Sequence, residues 1–195
     1  MVSLTGEFTY GNWKFRGVAG RGDITFSTPA VSGAIAQLAQ IDASLADLVD
    51  TNDDEGRFLG VGLEYDNFDW FVSGEITSVK IEDSYYPDDT NSYITAGARF
   101  GKYTPFVTVE WSDREGDYKF LDRVAALPQP FQGPATQVVA GVQQALFEKG
   151  QTYSAGLRYD YDTNIAVKAD VSRYSDDLND DFDAVLMRVA VNYVF

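Results

Sequence analysis

The side chains able to do chemistry here are charged residues set at alternate positions of strand-like runs. Lys14, Arg16, Arg99, Arg158, Lys168 and Arg188 supply positive charge, and Glu7, Glu64, Asp69, Glu75, Glu110 and Asp170 supply negative charge. The chain contains neither His nor Cys. That excludes Ser-His-Asp and Cys-His catalysis, His-based zinc sites and any disulfide framework. Only a carboxylate pair remains for catalysis, and the acids recur along separate runs rather than converging. The chain is therefore expected not to be an enzyme. Charges of both signs in mid-strand suit the lining of a water-filled space.

Nine runs of alternating polarity position these residues. In the first, Val2, Leu4, Gly6, Phe8 and Tyr10 oppose Ser3, Thr5, Glu7 and Thr9. The fourth sets Phe68, Trp70, Val72 and Ile76 against Asp69, Phe71, Ser73, Glu75 and Thr77. The last sets Val185, Met187, Val189, Val191, Tyr193 and Phe195 against Ala184, Leu186, Arg188, Ala190, Asn192 and Val194. Short turns fall at Gly11-Asn12, Asp66-Asn67, Gly101 to Thr104 and Asp162-Thr163, where Gly, Asn and Asp suit hairpin geometry. Longer loops occupy 27–56, 81–91, 113–149 and 176–182. Short turns at one end and long loops at the other describe an up-and-down antiparallel meander. Ile35, Leu38, Ile41, Leu45 and Leu48 recur at helical spacing in the first long loop. In the third, Pro134 suits a helix start and Gly150 an end. Such helices either cap the mouth of a barrel or fold into it as a constriction.

Alternation alone fits a soluble sandwich or a membrane barrel. Aromatic placement separates them. Tyr10, Trp13, Tyr65, Phe68, Trp70, Phe100, Tyr103, Tyr159 and Tyr161 all gather at the short-turn end, as Tyr193 and Phe195 do. A bilayer interface sorts aromatic rings in this way. Small residues on the polar face (Gly60, Gly62, Gly97, Gly156 and Ala190) are expected to leave a lumen open. A net charge of −15 argues against nucleic acid as a partner. No stretch approaches the ~20 apolar residues of a membrane helix. The opening "MVSLTGEFTYGNW" lacks the basic start and apolar core of a signal peptide.

"QTYSAGLRYDYDTNIAVKADVSRYSDD" followed by "AVLMRVAVNYVF" resembles the last three strands of Gram-negative general porins. "GRFLGVGLEYDNFDWFVSGEIT" and "AGARFGKYTPFVTVEW" resemble porin hairpins. The resemblance covers most of the chain and implies an all-β transmembrane up-and-down barrel in the outer membrane. It also implies passive diffusion of small hydrophilic solutes, commonly in a homotrimer, with the basic residues above as a positive wall. In outer-membrane proteins generally, a final strand ending in Phe is read by the barrel-assembly machinery, and Val191, Tyr193 and Phe195 match that pattern. The expected domain is a single porin-like barrel spanning 1–195. A complete bacterial barrel has an even strand number, and porins have roughly 16 strands. With nine strands counted, the chain is expected to be an incomplete C-terminal portion.

Acidic clusters fall in the long loops: Asp50, Asp53, Asp54 and Glu55; Glu82, Asp83, Asp88 and Asp89; and Asp176, Asp177, Asp180, Asp181 and Asp183. They are expected to form a solvated negative surface, with calcium or magnesium bridging to lipopolysaccharide phosphates as the sharper alternative. EF-hand spacing is absent, and "GVAGRGD" and "GVGLEY" lack the context of phosphate loops. No cofactor is expected. Two other functions compete with the porin. One is a non-conducting outer-membrane barrel acting in adhesion or anchorage through its acidic loops. The other is a soluble β-sandwich binding carbohydrate through Trp13, Trp70 and Trp111.

Overall fold

The computed structural model describes residues 1–194; Phe195 lies outside the described residues, and with it one member of the expected assembly signal. Nine strands form one sheet in chain order: β1 (Val2–Tyr10), β2 (Trp13–Thr25), β3 (Asn52–Asp66), β4 (Trp70–Ile81), β5 (Asp89–Ala98), β6 (Tyr103–Arg114), β7 (Glu148–Asp162), β8 (Ile165–Asp176) and β9 (Ala184–Tyr193). Every neighbouring pair is antiparallel. The sheet is open, with β1 and β9 as its edges. Gly11 and Gly101, at two of the short turns, have φ of 59° and 62°. Glycine adopts this left-handed conformation without steric cost.

The fourth strand begins at Trp70, two residues later than the alternation suggests. Asn67 Oδ1 accepts from the backbone N–H groups of Asp69 and Trp70 at 3.1 and 2.9 Å, and Asp66 Oδ1 accepts from that of Phe68 at 2.8 Å. These local bonds compete with the ladder, and Phe68 turns to a φ of 72°. Asp69 is thus a turn residue and not part of the wall.

At the other end the strands reach further than expected. β3 takes in Asp53, Asp54 and Glu55, β5 starts at Asp89, and Asp176 closes β8. β7 starts at Glu148, so Gly150 lies inside a strand and ends no helix.

Helices occupy two of the loops: α1 (Pro29–Ile41), α2 (Ala43–Val49), α3 (Leu121–Ala125) and α4 (Gln129–Gln144). Thr28 Oγ1 caps α1 by accepting from the Val31 N–H at 3.3 Å. Asp42 splits what reads in sequence as one helical run. Its backbone N–H closes α1 on the Leu38 carbonyl, and its Oδ1 caps α2 through the Leu45 N–H, both at 2.8 Å. Pro134 sits inside α4 rather than at its start. The start is set a turn earlier, where Pro130 occupies the first turn and its missing N–H costs nothing.

The buried apolar core lies among these loops, not in the sheet. Val31, Leu38, Leu45, Val49, Val124 and Val139 pack around Tyr85. α1 packs on α2 and α4, and α3 packs on α4. The larger hollows of the polar sheet face contain no helix residue in their lining. The helices therefore cap the loop end and do not fold down the wall.

The apolar sheet face is bare even on interior strands, where Val61, Ile94 and Val107 are 65%, 52% and 55% exposed. Among the described residues no second sheet covers it, as a soluble sandwich would require. An apolar band of this extent is a contact surface for lipid or protein. On the opposite face Ser154 and Ser172 are 8% and 6% exposed. The sheet is curled with its polar face inside.

Tyr85 joins the loop between β4 and β5 to the helical cap. Its ring is wholly buried. Its hydroxyl donates to the Phe26 carbonyl at 3.1 Å, and its N–H donates to the Val49 carbonyl at 3.2 Å. Tyr85→Ala is expected to cost roughly 3–5 kcal/mol in the cap, while the β-sheet signal in circular dichroism stays. Denaturant unfolding followed by a probe attached in α1 and by far-UV circular dichroism would separate the two.

Candidate pore-lining face

The cross-strand register fixes which polar side chains meet, because partners on one face sit about 5 Å apart. One row runs Glu7, Arg16, Gly62, Glu75, Tyr93, Glu110, Thr152 and Tyr174 across β1 to β8. A second row is made of hydroxyls: Ser73, Thr95, Thr108, Ser154 and Ser172. Thr95 bonds Thr108 and Ser154 bonds Ser172, each at 2.8 Å. A third row alternates rings and glycines, Phe71, Gly97, Phe106 and Gly156, before ending in Asp170 and Arg188. Nearest the turns, Thr104, Arg158, Lys168 and Ala190 follow one another.

Glu64, Glu75, Glu110, Asp170 and the basic residues other than Arg99 all lie on this inward face, as does Glu7 at the β1 edge. Arg99 stands one residue past β5, at the turn end. Much of the charge is paired. Lys14 meets Glu64 at 3.8 Å, and Arg188 meets Asp170 at 2.8 Å. Arg99 makes two bonds of 2.7 Å to the Asp66 carboxylate, and its guanidinium lies 5.1 Å from the Phe71 ring centre. The hydrogen bonds that Arg99 donates to the Asp66 carboxylate hold its guanidinium's pKa above its ordinary value. Arg158 meets Asp160 at 2.7 Å. Asp160 was legible as a partner, being two residues along the same strand face. Asp66 was not, because the turn geometry brings it to Arg99. Among the described residues, Arg16, Lys168, Glu7, Glu75 and Glu110 have no ion-pair partner within 4 Å.

Two hollows mark this face. One of 420 Å³ includes Glu75, Tyr93, Glu110 and Tyr174 in its lining, and the other, of 560 Å³, includes Arg99, Arg158 and Lys168. Three of the glycines receive neighbouring side chains. The Phe71 ring lies over Gly97, with Cζ 2.6 Å from where a Cβ would stand. The Phe106 ring lies over Gly156 in the same way, at 2.3 Å. Val18 occupies the place above Gly60. The glycines are seats for neighbouring side chains.

At the turn end the aromatics form two clusters. Trp13, Tyr65 and Trp70 pack edge-on and tilted with ring centres 4.8 and 4.9 Å apart; Tyr103 stacks on Tyr159 at 4.9 Å, and Tyr161 meets Tyr159 edge-on at 6.3 Å. Tyr10, Phe68 and Phe100 are exposed around them. Val191 and Tyr193 face outward on β9.

The loop acids serve local structure. Asp88 accepts from Lys80 at 2.8 Å and Lys119 at 3.3 Å. Burial by itself pushes the Asp88 carboxyl up, and these two lysines outweigh it and hold it below its usual range. Asp176 is buried and accepts from the N–H groups of Leu178 and Asn179 at 2.8 and 3.0 Å. Among the described residues no group of three or more acids is arranged to hold a metal ion. No helix among them is long and apolar enough to cross a membrane, which says nothing of crossing by strands.

No protein-family model and no curated protein matches the chain. Among solved structures it is similar to OmpT, an outer membrane protein of Vibrio cholerae folded in vitro and solved in its trimer form. The TM-score is 0.54 at 12% identity, covering 98% of this chain and 55% of that one. The chain thus spans about half the length of the structure it matches. At this identity the likeness concerns the fold: an antiparallel up-and-down sheet similar to part of an outer-membrane β-barrel.

An alanine Cβ at position 156 would also stand 2.8 Å from the Asp170 Cβ, which cannot swing aside as a ring can. Gly156→Ala is therefore expected to destabilise the wall by about 1–3 kcal/mol. Alanine in a strand interior otherwise gains roughly 0.5–1 kcal/mol over glycine. The temperature at which the detergent-folded chain loses its β signal would report the sign.

Proposed function

We propose that this chain forms the wall of a water-filled pore that passes small hydrophilic solutes or ions across an outer membrane. The observation that carries it is the opposition of the two faces of one sheet. A bare apolar face suited to lipid backs an inward face of charges, hydroxyls and hollows. The similarity to an outer membrane protein supports the location, and the trimer form of that protein supports a homotrimer as the assembly. The quoted hairpins support membership of the general porins.

The aromatic clusters at the turn end suit a headgroup interface. The acidic loop end suits lipopolysaccharide as neighbour through bridging divalent cations. An enzyme would have to use the wall carboxylates, of which Glu75 and Glu110 lie two strands apart with Tyr93 between them; no reaction is assigned to them. A non-conducting anchor finds support only in the acidity of the loops, whereas the wall charges and hollows have no task in it.

Val191, Tyr193 and Phe195 are proposed as the signal read by the barrel-assembly machinery. Removing Phe195 is expected to lower the amount of protein reaching the outer membrane several-fold (roughly, from the loss of one anchor of a short recognition motif). Unchanged levels of the deletion variant in membrane fractions would refute that role.

Conduction is tested in planar bilayers with protein whose gel band shifts on boiling. The expected result is stepwise ion conductance. Glu75→Gln with Glu110→Gln should lower its cation-to-anion permeability ratio by roughly twofold, since lumen charges tune selectivity. Heat-modifiable protein that gives no conductance steps would overturn the pore and favour the anchor.

A further inference from the structure

Arg158 on β7 and Lys168 on β8 stand directly opposite each other on the inward face. Like charges in this position repel and destabilise the ladder. A wall built only for stability places a carboxylate between them. Here each nearby carboxylate is held by an arginine and neither pairs with Lys168. Asp160 accepts from Arg158 Nε and Nη2, both at 2.7 Å. Asp170, two residues along from Lys168, is held by Arg188 at 2.8 Å. Among the described residues Lys168 has no ion-pair partner.

What the two cations share instead is the 560 Å³ hollow. Its lining carries three cations, Arg99, Arg158 and Lys168, against one carboxylate, Asp160. The Thr104 hydroxyl is the cross-strand neighbour of Arg158 on its other side. The Phe71 and Phe106 rings form part of the same lining, with their tips over Gly97 and Gly156. Cationic donors, a hydroxyl and two aromatic surfaces around one space are the recognition elements for an organic anion.

We propose that this hollow is a subsite for a water-borne organic anion whose carboxylate or phosphate group settles between Lys168 and Arg158. The proposal deepens the pore function by naming a solute class, and it rests on the polar face being water-filled. The bound anion turns the repulsion of the cross-strand pair into attraction to both members. A hydrocarbon or aromatic body fits against Phe71 and Phe106. Inorganic chloride lacks that body and gains only the charge term.

The test uses the full 195-residue chain folded in detergent, with phenyl phosphate as the probe at constant ionic strength. Phosphorus NMR of the probe gives the affinity, and thermal unfolding gives the stability. Lys168→Gln is expected to weaken phenyl phosphate binding about tenfold, as loss of one charge-assisted contact does. Without the probe the same variant should unfold at a higher temperature, because the repulsion is gone. Lys149→Gln, whose lysine pairs with Glu115 at the loop end, should leave the affinity unchanged. If Lys168→Gln does not fold, Lys168→Arg keeps the charge and should bind within about threefold of the parent chain.

Failure of phenyl phosphate to bind the parent chain would overturn the subsite, as would equal weakening by the Lys149 and Lys168 variants. Binding is read without any membrane current. A chain that binds but does not conduct therefore refutes the pore alone, and one that conducts without binding refutes the subsite alone.

Discussion

Everything on the inward face depends on the uninterrupted antiparallel ladder from β1 to β9. In hydrocarbon an unpaired backbone N–H or C=O costs several kcal/mol, so a wall facing lipid must commit each interior strand to both neighbours. Once it does, the register leaves no freedom in which side chains meet. Lys14 must face Glu64, Glu75 must face Tyr93, and Arg158 must face Lys168. Sliding one strand by a single residue would send its charges to the apolar face and its valines to the polar one. The apolar face is the constraint that fixes the polar one. β1 and β9 run in the same direction, so a pairing between them would be parallel, unlike every ladder inside the sheet.

Within that frame the wall separates its charges from its bulk. The ring-and-glycine row gives Phe71 and Phe106 room over Gly97 and Gly156, seating two large side chains on a polar face. Around this row three arginines are tied down by acids from a turn, the same strand or the neighbouring one: Arg99 by Asp66, Arg158 by Asp160, Arg188 by Asp170. Exposed pairs of this kind are worth little in stability, about 0–1 kcal/mol each. Their effect is positional. They fix long side chains that would otherwise sweep the hollow, and they leave Arg16, Lys168, Glu7, Glu75 and Glu110 as the unpaired charges of this face among the described residues.

Strand existence, strand order and face were legible in the sequence because alternation is a local property that survives any curvature. The positions of Val189 and Arg188 on opposite faces follow from their neighbours alone. What was not legible depended on contacts between segments. The pairing of Asp66 with Arg99 requires the turn at Asn67 to bend as its side chain dictates, which also removes Phe68 and Asp69 from the strand. The side chains that cover the glycines were not legible for a related reason. Their size was visible, but the neighbour that leans over each one is set by register, and Phe106 is fifty residues from Gly156 in the chain. In the loops, apolar spacing marked the first helical region, and Pro134 and Gly150 the second. The break at Asp42 and the early start of α4 came from capping and from Pro130, which a periodicity count does not weigh.

The chain thus contains two kinds of stability that answer to different solvents. The cap around Tyr85, Leu38 and Val139 is a water-facing apolar core, held by removal of side chains from water, and its strength is independent of what surrounds the sheet. The sheet has no such core. Its apolar side chains are covered only when lipid or detergent covers them, so its contribution is conditional on that environment. The links between the two are few and polar. Lys119 donates to the carbonyls of Ile81 and Tyr86 at 3.2 and 2.8 Å, and Arg114 donates to the Leu146 carbonyl at 2.7 Å. These bonds join strand ends to loops without passing through either apolar region. A joint of that kind transmits position but little packing energy, so the cap can hold the loop end in register while the wall exchanges one amphiphile for another.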